Sequence, residues 1–301
     1  MANISVLTFF TLSGLNYTVP HRIILFALTL LWYTIICIVN IVVIVTIIVD
    51  RKLHKPMYIF LLNLCISGLY GTVGFYPKFL LDLLSPSHVI SYAGCFLQSF
   101  IIHSSSGCDL SVLAVMAYDR YVAICQPLLY NSVMTTKHIS LLVVFCWFLP
   151  LICMFTNTMS IFNEELCGSF IPKLYCSNAL IGKLACIPSI TNISFAYVNI
   201  AIYVIHFLFL IWSYIHLVQI CLKSKEGRRK FTQTCAPHLV SLFSFAFAVL
   251  FDLMYTRFGS GMLSQSLQNF MAIEFLLIPP LLNPLVYGLK LNKIRKRILG
   301  I

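Results

Sequence analysis

Residues 23–49 read IILFALTLLWYTIICIVNIVVIVTIIV and contain no Asp, Glu, Lys or Arg. A helix of about 20 apolar residues can cross the hydrocarbon core of a bilayer. Residues 57–77, 139–163 and 184–222 lack the same four charged residue types. Of the 301 residues, 60% are hydrophobic and 10% are charged, whereas an ordinary globular domain has roughly 45–50% and about 25%. The sequence therefore predicts a polytopic membrane protein and excludes a soluble domain.

Seven membrane-spanning helices are expected from the uncharged stretches and the polar residues that separate them. They are predicted at residues 22–49, 57–83, 92–118, 139–161, 194–222, 231–256 and 268–289. The predicted fold class is an all-α membrane protein, in which residues 1–301 form one domain, a seven-helix transmembrane bundle. Asp109 and Glu274 fall inside the third and seventh spans. Both acids should face the bundle interior or a hydrated cavity, because a charge in lipid is costly.

The basic residues predict the orientation of the chain, whose net charge is +11. Of the twenty Lys and Arg residues, fifteen lie in one set of alternate segments and five in the other. Cytoplasmic segments carry the excess of Lys and Arg, so the N-terminus is expected outside and the C-terminus in the cytoplasm. This topology explains the positive charge, and nucleic acid is not expected as a partner.

The two ends of the chain carry further signals. Sequons at Asn3 and Asn16 lie in the expected outside segment and predict glycosylation. The first 20 residues lack a basic region and a cleavage site, so the first span is expected to act as the insertion signal. Residues 290–299 place apolar side chains on one helical face and basic ones elsewhere, which predicts a short amphipathic helix on the cytoplasmic leaflet. The alternative is a frayed polar tail.

The twelve cysteines do not show the spacing of a metal site, since the sequence contains no C-x-x-C or H-x-x-x-H. Most of them fall inside predicted spans, where a thiol behaves as a small hydrophobe. Cys95, Cys167, Cys176 and Cys186 are expected outside, in an oxidising compartment. These four cysteines can pair in three ways.

Two motifs lie at the inner ends of predicted spans. The stretch MAYDRYVAIC (116–125) closes the third span, and its Asp119 and Arg120 can form a local ion pair or act only as an interfacial stop signal. The stretch PPLLNPLVY (279–287) closes the seventh span. There Pro284 removes an intrahelical hydrogen bond and Asn283 can satisfy freed backbone groups, which predicts a deformable point one turn before Tyr287.

Four stretches together resemble the odorant receptor family of rhodopsin-like G-protein-coupled receptors. They are LHKPMY (53–58), MAYDRYVAIC (116–125), KFTQTCAPHL (230–239) and LNPLVY (282–287). The phrases GLYGT (68–72) and FDLMY (251–255) resemble fish members of the family more than mammalian ones.

The resemblance implies a plasma-membrane receptor that binds a small odorant in the outer half of the bundle. Its fifth to seventh spans then rearrange and activate a heterotrimeric G protein, of the olfactory stimulatory type that raises cAMP. Arg120 is expected to engage the G protein, with Asp119 as its resting partner. The other positions implied in coupling and activation are Tyr121, Tyr214, His238, Asn283, Pro284 and Tyr287. The family disulfide matches Cys95 to Cys176 and leaves Cys167 to Cys186.

The chain departs from the family pattern at two positions. Gly68 stands where the family usually has an Asp, a residue with which many rhodopsin-like receptors coordinate sodium. One hypothesis is that Asp109 takes over this role and holds sodium or a proton; the alternative is a neutral buried acid without an ion. Apart from this sodium ion, no cofactor is expected. Ala246 stands where a Tyr is common, and Phe245 and Phe247 can fill that volume.

The ligand pocket is expected between the outer halves of spans three, five and six. His103 and Ser106 share a face of span three, whereas Ser104 and Ser105 are expected to bond to their own helix. The span-six candidates are Val249, Leu253 and Arg257, and the weaker span-five candidates are Phe195, Tyr197 and Asn199. One hypothesis is that His103 and Arg257 bind an acidic or strongly polar water-soluble odorant. The alternative is that Arg257 snorkels to lipid headgroups.

Two other function classes make different predictions. A transporter or channel should show inverted repeats, paired broken helices or rings of intramembrane charge, and the sequence shows none of them. An enzyme is not expected, because the sequence lacks H-E-x-x-H, G-x-S-x-G and the P-loop motif. Ligand-evoked cAMP would favour the receptor, and ligand-dependent current without a G protein would favour a channel.

Overall fold

The computed structural model describes residues 8–13, 18–221, 239, 242–243, 245, 248–249 and 276–290. The helices in this part of the chain are α1 (Val19–Val49), α2 (Pro56–Leu84), α3 (Tyr92–Cys125), α4 (Tyr130–Val133), α5 (Thr136–Phe162), α6 (Asn178–Lys183), α7 (Ile190–Cys221) and α8 (Pro279–Lys290). A 3-10 turn, Arg51–Leu53, connects α1 to α2.

Five of these helices are long and apolar enough to cross a membrane, namely α1, α2, α3, α5 and α7. They stand where the first five spans are predicted. α8 covers the second half of the predicted seventh span. Most of the predicted sixth span, 231–256, and residues 291–299 of the predicted surface helix lie outside the described residues.

Local sequence explains where two of these helices begin and where α3 ends. The Ser91 hydroxyl accepts a hydrogen bond from the Gly94 backbone amide at 3.2 Å and caps α3, and the Thr135 hydroxyl accepts one from His138 at 3.3 Å and caps α5. α3 continues to Cys125, seven residues beyond the predicted end of its span. It stops only where Gln126 precedes Pro127, because proline disfavours the helical conformation of the residue before it.

α3 is the central helix and packs against α2, α5 and α7. Its buried residues continue through almost every turn, including Cys108, Leu113 and Met116. Close approach to α5 depends on Gly107, since a Cβ atom there would lie 2.7 Å from Pro150 Cβ. By contrast, α1 exposes apolar side chains such as Leu31 and Ile48, as expected for a helix whose outer face contacts lipid.

A three-stranded sheet covers one end of the bundle, which we call the sheet end. β1 (Phe9–Leu12) lies between β2 (Val89–Ser91), to which it is antiparallel, and β3 (Phe170–Ile171), to which it is parallel. The all-α prediction missed this sheet. Strands of two to four residues are too short for an alternating pattern to identify, and these strands are stabilised by pairing between segments that are distant in sequence.

Candidate functional site

α3 connects the two groups of candidate residues. It contains 34 residues, which at 1.5 Å per residue span about 50 Å. One group lies at the sheet end, around His103. The other lies at the opposite end, which we call the Arg120 end.

Two disulfides hold the loop between α5 and α7 at the sheet end. They join Cys95 to Cys176 and Cys167 to Cys186, the two pairs that the family resemblance implied. The backbone amide of Cys176 also donates to Gln98 Oε1 at 2.9 Å. The Ser99 hydroxyl of α3 donates to Asn178 Oδ1 in the loop at 2.8 Å. The loop is therefore fixed to the first turns of α3 by one covalent bond and by hydrogen bonds.

His103 is half-buried on α3 below this loop. Its Nδ1 lies 2.8 Å from the backbone carbonyl of Ser99, and because a carbonyl only accepts, Nδ1 carries a proton. The imidazole ring lies 6.4 Å from the ring of Tyr175 in the loop. The Tyr203 hydroxyl of α7 donates to the His103 carbonyl at 3.3 Å. His103 thus lies where α3, α7 and the loop meet.

Tyr175 beside His103, and Lys173 beside Tyr175, were not predicted from the sequence. Tyr175 is fully buried, and its ring packs edge-on against Phe75 at 6.2 Å. The Lys173 side chain is buried, donates to the Tyr175 hydroxyl at 3.2 Å and lies 5.0 Å from the centroid of its ring. Nothing in the sequence marks Lys173 as buried, because its position depends on a loop that is folded back by a disulfide.

Two of the serines next to His103 bond to their own helix. The Ser104 hydroxyl donates to the Ile101 carbonyl at 3.3 Å, and the Ser105 hydroxyl donates to the Ile102 carbonyl at 2.9 Å. Both therefore bond to their own helix, which confirms that expectation. Ser106 is also buried in α3.

A small cavity of about 20 Å³ lies between α3, α5 and α7, deeper in the bundle than His103. Its polar lining includes Ser111, Asn199, Tyr203 and His206. His206 Nε2 lies 3.4 Å from the Ser111 hydroxyl. The predicted span-five candidates separate here, because Asn199 lines the cavity while Tyr197 is 60% exposed. The cavity does not include His103 or Ser106 among its lining residues.

An ion pair occupies the Arg120 end. Arg120 Nε donates to Asp119 Oδ2 at 3.0 Å, and the Asp119 side chain is completely buried. The Tyr130 hydroxyl of α4 donates to the other carboxylate oxygen, Oδ1, at 2.7 Å. Burial raises the pKa of Tyr130, and the negative charge of Asp119 raises it further. Tyr130 was not predicted from the sequence, because its role requires the chain to turn back after Pro127.

Three further coupling candidates lie on α3, α7 and α8. The ring of Tyr121 packs against Trp212 at 5.7 Å and His216 at 6.5 Å, both on α7. Tyr214 is buried on α7, and Tyr287 belongs to α8.

Pro284 lies inside α8, where the predicted deformable point is expected. Asn283 was expected to satisfy the freed backbone group, but in the structure the donor comes from another helix. Asn40 Nδ2 donates to the Pro280 carbonyl at 2.8 Å. Asn283 is buried, and its Oδ1 has no hydrogen-bond partner among the residues that the structure describes.

Asp109 is buried in α3, and its Oδ1 likewise has no hydrogen-bond partner within the described part of the chain. Gly68 faces α1 and α8: a Cβ there would lie 3.6 Å from Pro280 Cβ and 3.9 Å from Asn40 Oδ1. A Cβ atom at Gly68 would therefore make only ordinary van der Waals contacts with α1 and α8.

Several candidates fall on residues that the structure does not describe. They are Asn3, Asn16, His238, Ala246, Phe247, Leu253, Arg257 and Glu274. Two neighbours of these in the sixth predicted span are described: Phe245 is buried, and Val249 packs against the core cluster that contains Leu110.

Comparisons with known proteins point to one family and cover nearly the whole chain. The sequence model of the olfactory receptor family matches residues 28–301. Human olfactory receptor 5F1 is 32% identical over 303 residues, which cover 99% of this chain and 96% of that receptor. Human olfactory receptor 4E1 is 33% identical over 98% of this chain and 93% of its own length. Mouse olfactory receptor 6E1 is 29% identical over 98% of this chain and 95% of its own.

These matches confirm the resemblance carried by the four signature stretches. The relatives are receptors and not enzymes. They come from human and mouse, so the likeness to fish members stays a prediction. The chain belongs to the olfactory receptor family.

Proposed function

We propose that this protein is a plasma-membrane odorant receptor that binds a small ligand at the sheet end and activates a heterotrimeric G protein at the Arg120 end. The observation that carries the proposal is the pair of Arg120 with the buried Asp119 at one end of α3, with the disulfide of Cys95 at the other. A single rigid helix thereby connects a ligand pocket to a charge cluster that a cytoplasmic partner can reach.

The proposed bundle has seven spans, with the sheet end outside the cell. Five membrane-length helices and the family assignment support this number. The excess of Lys and Arg in the segments at the Arg120 end supports the orientation. Glycosylation of Asn3 and Asn16 would follow from it.

The proposed resting state keeps Arg120 engaged. Asp119 neutralises its guanidinium, and Tyr130 donates to the same carboxylate. A charge-assisted pair in a dry site is stable only while both partners remain together. Activation would separate Arg120 from Asp119 as α7 and the predicted sixth and seventh spans move, which exposes the guanidinium to the G protein.

The proposed ligand is acidic or strongly polar and soluble in water. His103 supports this class, and so does the Lys173 ammonium, which is held beside Tyr175. Two cationic or protonatable groups flank one aromatic ring, an arrangement that suits a carboxylate attached to an apolar body. A contribution from Arg257 remains part of the proposal.

A sodium ion beside Asp109 is the second part of the proposed resting state. Asp109 Oδ1 fits the ion, since it is a buried carboxyl oxygen without a hydrogen-bond partner among the described residues, and hard cations prefer oxygen ligands. The Asp109 carboxylate would hold the ion, which would neutralise its charge. An Asp109→Asn receptor should lose any effect of replacing sodium by N-methylglucamine at equal ionic strength, and a response that stays sodium-dependent would refute this role.

A cAMP assay tests the proposed function. Cells that express the receptor with the olfactory stimulatory G protein are screened with short acids, amino acids, amines and bile-type acids. We expect an acid to raise cAMP in cells that carry the wild-type receptor, and Arg120→Ala to abolish the response at equal surface expression. A ligand-dependent current that persists in Arg120→Ala without a G protein would contradict the receptor proposal and favour a channel.

A further inference from the structure

A groove on the surface of the bundle runs between α1, α2 and α5 near the Arg120 end. Its wall is apolar and includes Ile48, Ile59, Leu62, Val143 and Val144. Its volume is about 710 Å³, within the roughly 300–1,000 Å³ of pockets that hold small ligands. The groove is therefore large enough to hold part of a flexible hydrocarbon chain.

The groove becomes polar at one end only. His54, Thr136 and Ser140 line this end, and all three are exposed. His54 Nε2 lies 3.0 Å from the Ile47 carbonyl and thus donates to the last turn of α1. This bond fixes the short connection between α1 and α2, which contains Arg51, Lys52 and Lys55.

Basic side chains surround the polar end. Lys55 follows His54 in sequence, Lys137 follows Thr136, and both lysines are exposed, as are Arg51 and Lys52. Residues 47–62 and 134–144 contain a single acid, Asp50. Its carboxylate already accepts a hydrogen bond from the Lys52 backbone amide at 3.0 Å. The mouth of the groove therefore carries an excess of positive charge.

We propose that this groove binds an anionic phospholipid of the cytoplasmic leaflet, with one acyl chain along the apolar wall and the phosphate between Lys55 and Lys137. A basic cluster at the mouth of an apolar groove matches a molecule with a charged head and a hydrocarbon tail. A neutral lipid would fill the same wall but would leave the positive charge of the mouth unpaired. The proposal depends on the orientation given above and not on ligand binding or G-protein coupling.

Native mass spectrometry of the purified full-length receptor tests the proposal. The protein is released from detergent with equal amounts of phosphatidylserine and phosphatidylcholine. We expect wild type to retain phosphatidylserine in preference. Lys55→Gln with Lys137→Gln should weaken this binding roughly 30-fold, because each basic group at an anionic surface contributes about 1 kcal/mol and about 1.4 kcal/mol is a factor of ten. Lys183→Gln, at the sheet end, is the matched charge control and should have no effect.

A second pair of variants tests the groove itself. Val144 and Leu141 lie on the same helix and are 61% and 59% exposed, but only Val144 lines the groove. Val144→Trp should reduce retention of both lipids, whereas Leu141→Trp should not. Equal retention of phosphatidylserine by wild type and the double lysine variant would overturn the proposal. Unchanged binding of both lipids in Val144→Trp would also overturn it. Displacement of phosphatidylserine by soluble glycerophosphoserine would do the same, since a free headgroup has no acyl chain and would not need the groove.

The experiment does not use signalling, so its failure is distinguishable from failure of the proposed receptor function. Epitope accessibility at the two termini in intact cells tests the orientation separately. If the C-terminus were outside, the basic mouth would face the wrong leaflet and the proposal would be wrong even with lipid bound in detergent.

Discussion

Asn40 on α1 donates its side-chain amide to the backbone carbonyl of Pro280 in α8 at 2.8 Å. In an uninterrupted helix this carbonyl would accept from the backbone amide four residues later, but residue 284 is a proline and has no N–H. Asn40 therefore replaces a bond within one helix by a bond between two helices. The same amide also donates to Ile36 on its own helix at 2.8 Å, so its position is fixed on both sides.

The Asn40–Pro280 hydrogen bond predicts that Asn40→Ala destabilises the wild-type receptor more than the Pro284→Ala variant. Asn40→Ala leaves the Pro280 carbonyl buried without a partner, which costs about 1–3 kcal/mol. We expect a clear fall in the thermal unfolding temperature of the purified receptor. In a Pro284→Ala background the same substitution should cost less, because the alanine introduced at position 284 supplies the missing backbone donor. Equal losses in the two backgrounds would show that the Asn40–Pro280 bond contributes nothing.

Tyr130→Phe should raise basal cAMP. The variant removes the hydroxyl that donates to Asp119 Oδ1 and so weakens the carboxylate that holds Arg120. A hydrogen bond to a charged group contributes about 1.5 kcal/mol or more, which corresponds to roughly a tenfold shift between resting and active states. Tyr118→Phe is the matched control on α3. Unchanged basal cAMP in Tyr130→Phe, at equal surface expression, would mean that the bond persists on activation.

The pKa of Tyr130 fixes the pH dependence of this contact. Burial and the charge of Asp119 raise that pKa above its ordinary value of 10.0. The donating, protonated form is therefore fully present below about pH 10 and is lost only as the pH rises through the raised pKa. The effect of Tyr130→Phe on basal cAMP should accordingly be the same at about pH 6 and about pH 8.

Gly107→Ala should destabilise the receptor. The added Cβ would lie 2.7 Å from Pro150 Cβ and 3.1 Å from the Tyr203 hydroxyl, and a proline ring within a helix cannot rotate away. Overpacking of this kind costs about 1–3 kcal/mol, so surface expression and thermal stability should both fall. Gly68→Ala is the control, because its nearest contact is an ordinary 3.6 Å. The prediction fails if the two alanine variants behave alike.

His88 should make the sheet end sensitive to acid. Burial lowers the pKa of His88, and the positive charges of Arg22 and Lys78 lower it further, although Asp82 opposes this shift. The unfolded chain then binds a proton more readily than the folded protein, so stability is lost as the pH falls below about 6.5. His88→Gln should reduce the loss of thermal stability between about pH 7 and about pH 5. The same change at His21, which is exposed, should not.

The sequence predicts the long apolar helices, whose composition is set by the membrane. It misses the short strands, which depend on pairing between distant segments. Charge-free runs indicate the five long helices because few residues other than apolar ones are tolerated in lipid. The end of α3 is predicted too early, since Asp119 and Arg120 look like an exit from the membrane while the helix continues until Pro127. The family resemblance, and not spacing, supplied the two disulfide pairs.

The contacts that refine the candidate sites come from residues far apart in sequence. Tyr175 reaches His103, and Lys173 reaches Tyr175, only because the loop is bonded to Cys95. Asn40 is one polar residue in an apolar span, and nothing near it in sequence reveals that its acceptor lies 240 residues away. Local patterns identify helices, but they carry no information on which helices exchange hydrogen bonds.

The three-stranded sheet imposes an order on biosynthesis. β1 leaves the ribosome first, yet its partners begin at Val89 and Phe170. At roughly 5–20 residues per second, the second partner follows β1 after about 8–30 seconds. Until then the edge of β1 that pairs with β3 must remain unpaired while α1, α2, α3 and α5 are synthesised. The complete sheet and both disulfides therefore form late, and a nascent chain that stalls before Cys186 would present this edge to chaperones for quality control.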